Sequence, residues 1–154
     1  MANHRREDTR ELVEALTIFL ADTTIVYYKT HAFHWNVEGP NFYGLHLMLE
    51  KFYTKIWKSI DEIAERIRAL GEKAPSNFAD LLRNASIEEN ETSPQPLVMM
   101  QILRNDYFAL AKKAYEICEI ANAHGDLITA DILTQKATFL EKAAWMCHST
   151  FSGE

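Results

Sequence analysis

Cysteine is scarce in these 154 residues: Cys118 and Cys147 stand apart inside helical patterns, with no CxxC spacing. That argues against a disulfide framework and for a reducing, cytoplasmic setting. Only four prolines and five glycines occur, with no glycine between Gly44 and Gly71 and no proline between Pro40 and Pro75. No run of alternating β-branched residues reads as a strand. There is also no 18-residue apolar run, and no apolar segment ahead of a cleavage site in MANHRREDTRELVEAL, so the expectation is a soluble protein with no membrane partner. Net charge is −6, the wrong sign for a chain that would grip phosphate backbones with its whole surface. Internal repeats, low-complexity tracts and domain linkers are missing too, and a chain of this length fits one domain, residues 1–154.

What remains is helical periodicity, and it predicts an all-α chain of four long helices. Asp8 or Thr9 can cap the first, with Glu11 as a capping-box partner to Asp8, and Leu12, Leu16, Phe19, Thr23, Val26, Thr30 and Phe33 form its inward stripe. Glu38-Gly39-Pro40 forces a turn after Asn36 or Val37, and a second helix runs from about Asn41 to Leu70, stopped by Gly71, so the first two helices form an antiparallel hairpin. Residues 72–92 make a long crossover with a short helix in NFADLLRN, which lets the third long helix run parallel to the second. Ser93 is expected to cap that helix with Pro94 at its first position, and its inward residues to include Leu103, Phe108, Leu110, Tyr115 and Ile120. His124-Gly125 ends it. Asp126 starts the fourth, with Ile132, Phe139, Ala143 and Met146 in its stripe.

The second helix carries more than a core face. Taking His46 as zero at about 100° per residue, Glu50, Asp61 and Glu65 fall within roughly 100° of it. The apolar stripe of Leu45, Leu49, Phe52, Ile56, Ile60, Ile63, Ile67 and Leu70 lies on another side, and Lys51, Lys55, Lys58, Glu62 and Arg66 read as a water-facing sector. His34, as far before the turn as His46 is after it, should lie level with it. Taken alone, each histidine reads as a hydrogen-bonded core residue and each acid as a solvated one. Jointly they read as a metal site of mixed imidazole and carboxylate ligands, a set that suits iron, zinc or manganese.

One helix cannot bring all of them to one site. Roughly 16 Å of helix separates Glu50 from Asp61, whereas ligand atoms lie about 2 to 2.6 Å from an ion. Two copies packed antiparallel about a two-fold axis midway between Lys55 and Ile56 solve this, because His46 then faces Glu65 of the partner subunit and Glu50 faces the partner's Asp61. Tyr53, Thr54 and Trp57 would lie at the middle of that contact. His31 has two readings, a metal relay or a spectator; Trp35 also has two, a redox-active neighbour or helix-end packing. The two cysteines read as small core residues.

The stretches HAFHWNVEGPNFYGLH, DEIAERIRALG and GDLITADILTQ closely resemble the Dps family, the mini-ferritins named as DNA-binding proteins from starved cells, and the likeness spans about residues 10–148. The resemblance implies a hollow dodecamer of ferritin-like four-helix bundles. It implies ferroxidase activity, with His34, His46, Glu50, Asp61 and Glu65 as catalytic and metal-binding residues, Fe(II) and hydrogen peroxide as substrates, and ferric mineral stored in the cavity against oxidative damage. Iron is then the metal handled, and zinc or another divalent ion can occupy the site on purification. It further implies that Asp126 and Asp131 line an acidic entry pore. No histidine has a glutamate three residues before it, unlike ferritin-like proteins that build a di-iron site inside one bundle. The competing reading is a DNA-condensing protein with a secondary metal site. Lysine-rich tails favour that role, but here only His4, Arg5 and Arg6 precede Glu7-Asp8, and the chain ends FSGE, so DNA binding is expected to be weak or absent. A haem-binding bacterioferritin is a third, weaker reading.

Overall fold

The structure, a computed structural model, describes residues 9–153, and among them the backbone forms five helices and no strand. They are α1 (Arg10–Asn36), α2 (Phe42–Ala69), α3 (Phe78–Asn84), α4 (Pro96–Ala123) and α5 (Leu127–Ser149). Among the described residues, no helix is long and apolar enough to cross a membrane.

Local chemistry sets most boundaries. Gly39, at φ 107°, makes the tight turn between α1 and α2. At the end of α2, Gly71 takes φ 99°, and the amides of Gly71 and Glu72 bond back to Arg68 O at 3.0 Å and Ile67 O at 3.3 Å, satisfying carbonyls the helix would otherwise leave open. The Asn77 side chain caps α3 by accepting from the Asp80 amide at 2.9 Å. Helix α4 corrects the sequence reading: it starts at Pro96, with Gln95 extended at φ −60° and ψ 152°, not at Pro94. A start at Pro94 would put Gln95 in the helical region directly before a proline ring, which disfavours that conformation. Thr9 holds the N-cap position of α1; Asp8, the other expected cap, lies outside the described residues, and Glu11 sits 3.5 Å from His124 Nε2.

Side-chain pairs fix the helix directions. His34 meets His46, so α1 and α2 run antiparallel; Asp22 with Lys113 and Lys29 with Asp106 make α1 antiparallel to α4. Hence α4 is parallel to α2, as the long crossover predicts. Arg66 with Asp126, Glu62 with Lys136 and Tyr115 with Glu141 make α5 antiparallel to both α2 and α4. The expected α1 stripe is buried throughout, and Leu45, Leu49, Phe52, Ile56, Ile63 and Ile67 of α2 join Leu103, Tyr107, Leu110, Leu133 and Leu140 in one core. Two expectations shift. Phe108 and Tyr115 face outward, Tyr107 and Ala111 taking the inner positions, and the centre of the α5 stripe is Leu133, Ala137, Leu140 and Ala144, with Ile132, Phe139 and Met146 on its margin. The bulky aromatics on α4 drew the reading half a face away from the small residues that permit close packing.

Buried polar groups lash the crossover down. Asp22, fully buried, accepts from the amides of Ser86 (2.6 Å) and Ile87 (2.8 Å), from the Ser86 hydroxyl (2.8 Å) and from Lys113. Lys29 donates to Glu88 O and to Asp106 Oδ2, both at 2.8 Å. Each buried charge therefore has a partner, as a low-dielectric interior requires.

Candidate metal centre

The hairpin turn brings His34 at the end of α1 level with His46 at the start of α2. Their rings stack at 3.7 Å between centroids and 15° between planes. The Nδ1 of His34 lies 2.8 Å from His46 O, and the Nδ1 of His46 lies 2.8 Å from His34 O. A carbonyl can only accept, so both Nδ1 atoms carry a proton, and in the neutral form of each ring the lone pair is on Nε2. Metal-binding histidines are commonly held in this way, the spare nitrogen fixed by an acceptor so that the other is presented as a ligand. His34 is buried, with 7% of its surface exposed, and Phe42 stacks on the open face of His46 at 4.9 Å.

Glu50, Asp61 and Glu65 are exposed along the same helix. Among the described residues of one chain, no three His, Cys, Asp or Glu side chains converge as a metal-binding group. One chain thus brings together two of the five expected ligands and leaves three carboxylates displayed on its surface.

The histidines sit beside an aromatic assembly. Tyr53 stands edge-on to His34 at 5.0 Å and stacks on His31 at 3.8 Å and 12°, and Tyr27 Oη is 2.9 Å from His31 Nδ1. His31 is therefore partly buried and hydrogen-bonded, and burial, reinforced by His34, lowers its pKa from 6.5. Trp35 packs on His31 at 4.2 Å while remaining 54% exposed. Tyr27 also meets Trp57 at 5.2 Å. Next to this assembly an apolar groove of about 730 Å³ opens between α1, α2 and α3, lined by Tyr28, Trp57, Ile60, Phe78 and Leu82 among others. Trp57 is 59% exposed and Phe78 79% exposed.

The sector read as water-facing needs correction at Arg66, while Glu62 stays exposed and still reaches a partner. Arg66 donates from Nη2 to both Asp126 oxygens at 2.9 Å and from Nε to Thr129 Oγ1 at 2.8 Å, and Glu62 pairs with Lys136. Both hold α2 to α5, because the antiparallel neighbour presents a polar edge there. Asp126 also caps α5 by accepting from the Thr129 amide at 3.0 Å. Burial alone would raise its pKa, but the Thr129 hydroxyl and amide together with Arg66 outweigh burial and lower it. Asp131 is exposed and accepts from Gln135 at 2.9 Å. Of the cysteines, Cys147 is buried and burial pushes its thiol up to about 12, whereas Cys118 is partly exposed.

Sequence spacing reached the two histidines and their common level. It missed the exchange of ring N–H groups for backbone carbonyls, which depends on the exact approach of the hairpin arms, and the Tyr27–His31–Tyr53 stack, whose signal was the same-face spacing of Tyr27, His31 and His34 on α1.

Comparison with known proteins bears on the family and the fold. Residues 13–152 match the ferritin family, described as a ferritin-like domain. The chain is 36% identical over 137 residues to DNA protection during starvation protein 2 of Bacillus anthracis, covering 89% of this chain and 94% of that protein. General stress protein 20U of Bacillus subtilis is 33% identical, with coverage of 90% and 95%. Among solved structures, a Dps protein from Bacillus brevis superimposes with a TM-score of 0.91 at 32% identity, covering 95% of this chain and 98% of that one. The Dps protein of Vibrio cholerae O1, described as a member of a broad superfamily of ferritin-like diiron-carboxylate proteins, gives a TM-score of 0.90 at 31% identity, with coverage of 95% and 92%. With its hairpin-clasped histidines, its exposed carboxylate face and a match over nearly its whole length, the chain belongs to the ferritin-like family, as one of the Dps proteins.

Proposed function

We propose that the protein, a single ferritin-like domain over residues 1–154, oxidises and stores iron at sites shared between two-fold-related subunits of a hollow dodecamer. Each site takes His34, His46 and Glu50 from one chain and Asp61 and Glu65 from the partner subunit. The observation that carries this reading is the pair of clasped imidazoles, both presenting Nε2, at one end of a helix whose other ligand-type residues remain displayed at its surface. The apolar groove with exposed Trp57 and Phe78 beside that face is surface of the kind buried when such proteins associate.

Fe(II) and hydrogen peroxide are the substrates in this reading. Two Fe(II) ions each give one electron to one peroxide; the O–O bond breaks and the two oxygens leave as water after taking up two protons. The neutral imidazoles suit Fe(II), while the hard carboxylate oxygens of Glu50, Asp61 and Glu65 favour the ferric product. Zinc, which accepts the same imidazole and carboxylate donors, is a stand-in that would block turnover. Cytoplasmic iron would enter past Asp126 and Asp131, with the exposed Asp131, bonded to Gln135, carrying the more open charge. DNA condensation is a second reading, favoured by the names of the relatives. A gel shift at low salt tests it, and retardation without Fe(II) oxidation would reverse the ranking.

Complementation tests the shared site. A His34→Ala/His46→Ala chain and an Asp61→Ala/Glu65→Ala chain should each be inactive alone. Refolded together in equal amounts, about half the dimers are mixed, and each mixed dimer rebuilds one complete site, so ~25% of sites should return. Recovery near zero despite confirmed co-assembly would place all ligands of a site within one chain.

A further inference from the structure

Several hydroxyls on the long helices are satisfied within their own helix: Thr17, Thr24, Thr30, Thr134 and Thr138 each donate to the carbonyl four residues earlier at 2.8 to 2.9 Å. Thr23 differs. Only 3% of it is exposed, and among the described residues its Oγ1 has no hydrogen-bond partner. It lines a small pocket between the four long helices, with Phe19 beside it on α1, Ile56 and Ser59 on α2, Leu110 on α4 and Lys136 on α5.

We propose that this cavity is a binding site for one ordered water molecule, held by Thr23, Ser59 and Lys136. The space suits a single water: about 10 Å³ is open to its centre, close to the least that holds one. The lining supplies the two to four polar partners a buried water needs. Lys136, with 8% of its surface exposed, has three N–H donors, one of which engages Glu62. Ser59 is 6% exposed and spends its own proton on Lys55 O at 3.3 Å, which leaves its oxygen free to accept. A water can accept from Lys136, donate to Ser59 Oγ and bond Thr23 Oγ1, which removes the unpaired hydroxyl. A metal cation is disfavoured by the ammonium, and an oxyanion of phosphate or carboxylate size does not fit. The site stands apart from His34 and His46 and does not depend on iron chemistry.

The sign of one substitution separates a wet centre from a dry one. Thr23→Val keeps the shape and removes the hydroxyl. If the hydroxyl holds a water, its loss should lower Tm by about 2–6 °C; if it is unpaired in a dry cavity, its removal should leave Tm unchanged or raise it. The measurement is thermal melting of the assembled full-length protein and variant, with a crystallographic density map of the unsubstituted protein beside it. The expected result is a fall in Tm together with a density peak within roughly 3.2 Å of Thr23 Oγ1, Ser59 Oγ and Lys136 Nζ. An empty cavity, a Thr23 hydroxyl turned to its own helix, or a Tm unchanged or raised in the variant would each overturn the proposal.

Discussion

The two ends of α2 carry the same kind of residue in opposite circumstances. At the amino-terminal end, His46 is fixed before any metal or partner arrives: its ring stacks on His34, its Nδ1–H is spent on the His34 carbonyl, and Phe42 covers its other face. Toward the carboxy-terminal end, Asp61 and Glu65 stand exposed, while their neighbours Glu62 and Arg66 are the residues tied to α5. Binding energy is lost when ligands must be ordered on binding, so under the proposed shared site the histidine half is ready to receive an ion and the carboxylate half waits to be met. In that proposal, order lies where one chain can supply it, and charge is left open where only a second chain can close the site.

The largest expected effect probes that contrast directly. His46→Ala and an Asp61→Ala/Glu65→Ala pair should both abolish ferroxidase activity, each by more than the roughly 10–100-fold typical of losing a residue that merely supports a ligand. Stability should separate them. Removing the His46 ring takes away a stacked partner and a part-buried hydrogen bond and should cost roughly 1–3 kcal/mol, whereas exposed carboxylates usually matter by less than about 0.5 kcal/mol. Denaturant melting of the two variants without iron checks this. Equal destabilisation would mean that the carboxylates are as firmly built in as the histidines.

Much of this was legible in the sequence because helices convert spacing into geometry. The interval from His34 to His46 across Gly39-Pro40 gave the level pair, and the wheel of α2 separated core face from ligand face. The start of α4 was misread because Ser93-Pro94 is as good a helix opening as Gln95-Pro96 until the steric demand of the second proline on Gln95 is considered. Phe108 and Tyr115 misled because a wheel shows that a face is apolar and not whether this chain or another covers it. Arg66 misled for a related reason, since a charged residue beside an antiparallel helix can be paired across the interface without any mark in its own helix.

A smaller effect distinguishes the two acids at the start of α5. If charge left open is what draws cations, Asp131→Asn should slow Fe(II) uptake several-fold while Asp126→Asn changes it less, because the Asp126 carboxylate is already offset by Arg66. Uptake is read from ferric absorbance in assembled protein under limiting Fe(II), with sedimentation to confirm that assembly is intact. Equal slowing would show that Asp126 faces the entering ion in spite of Arg66, and no slowing would leave both as cap and surface residues.

The smallest effect is in stability against pH, and it follows from the same pair. Asp126 has its pKa lowered because Thr129 and Arg66 outweigh the opposing effect of burial. A carboxyl with a depressed folded value stabilises the fold above its unfolded value, near 3.9, and that contribution is lost as pH falls through the lower folded value. Asn is nearly as good a helix cap as Asp, so Asp126→Asn removes the charge with little loss of capping. The variant should be less stable by about 1.5–3 kcal/mol at neutral pH, the range for a hydrogen bond to a charged group. That deficit should stay constant down to about pH 4 and shrink below it, as the unsubstituted protein loses its own carboxylate. Melting temperatures of both proteins from pH 7 to pH 3 make the test. A deficit that does not narrow below pH 4 would mean that the lost interaction is geometric, the fork of Arg66 on two oxygens, and not the charge on Asp126.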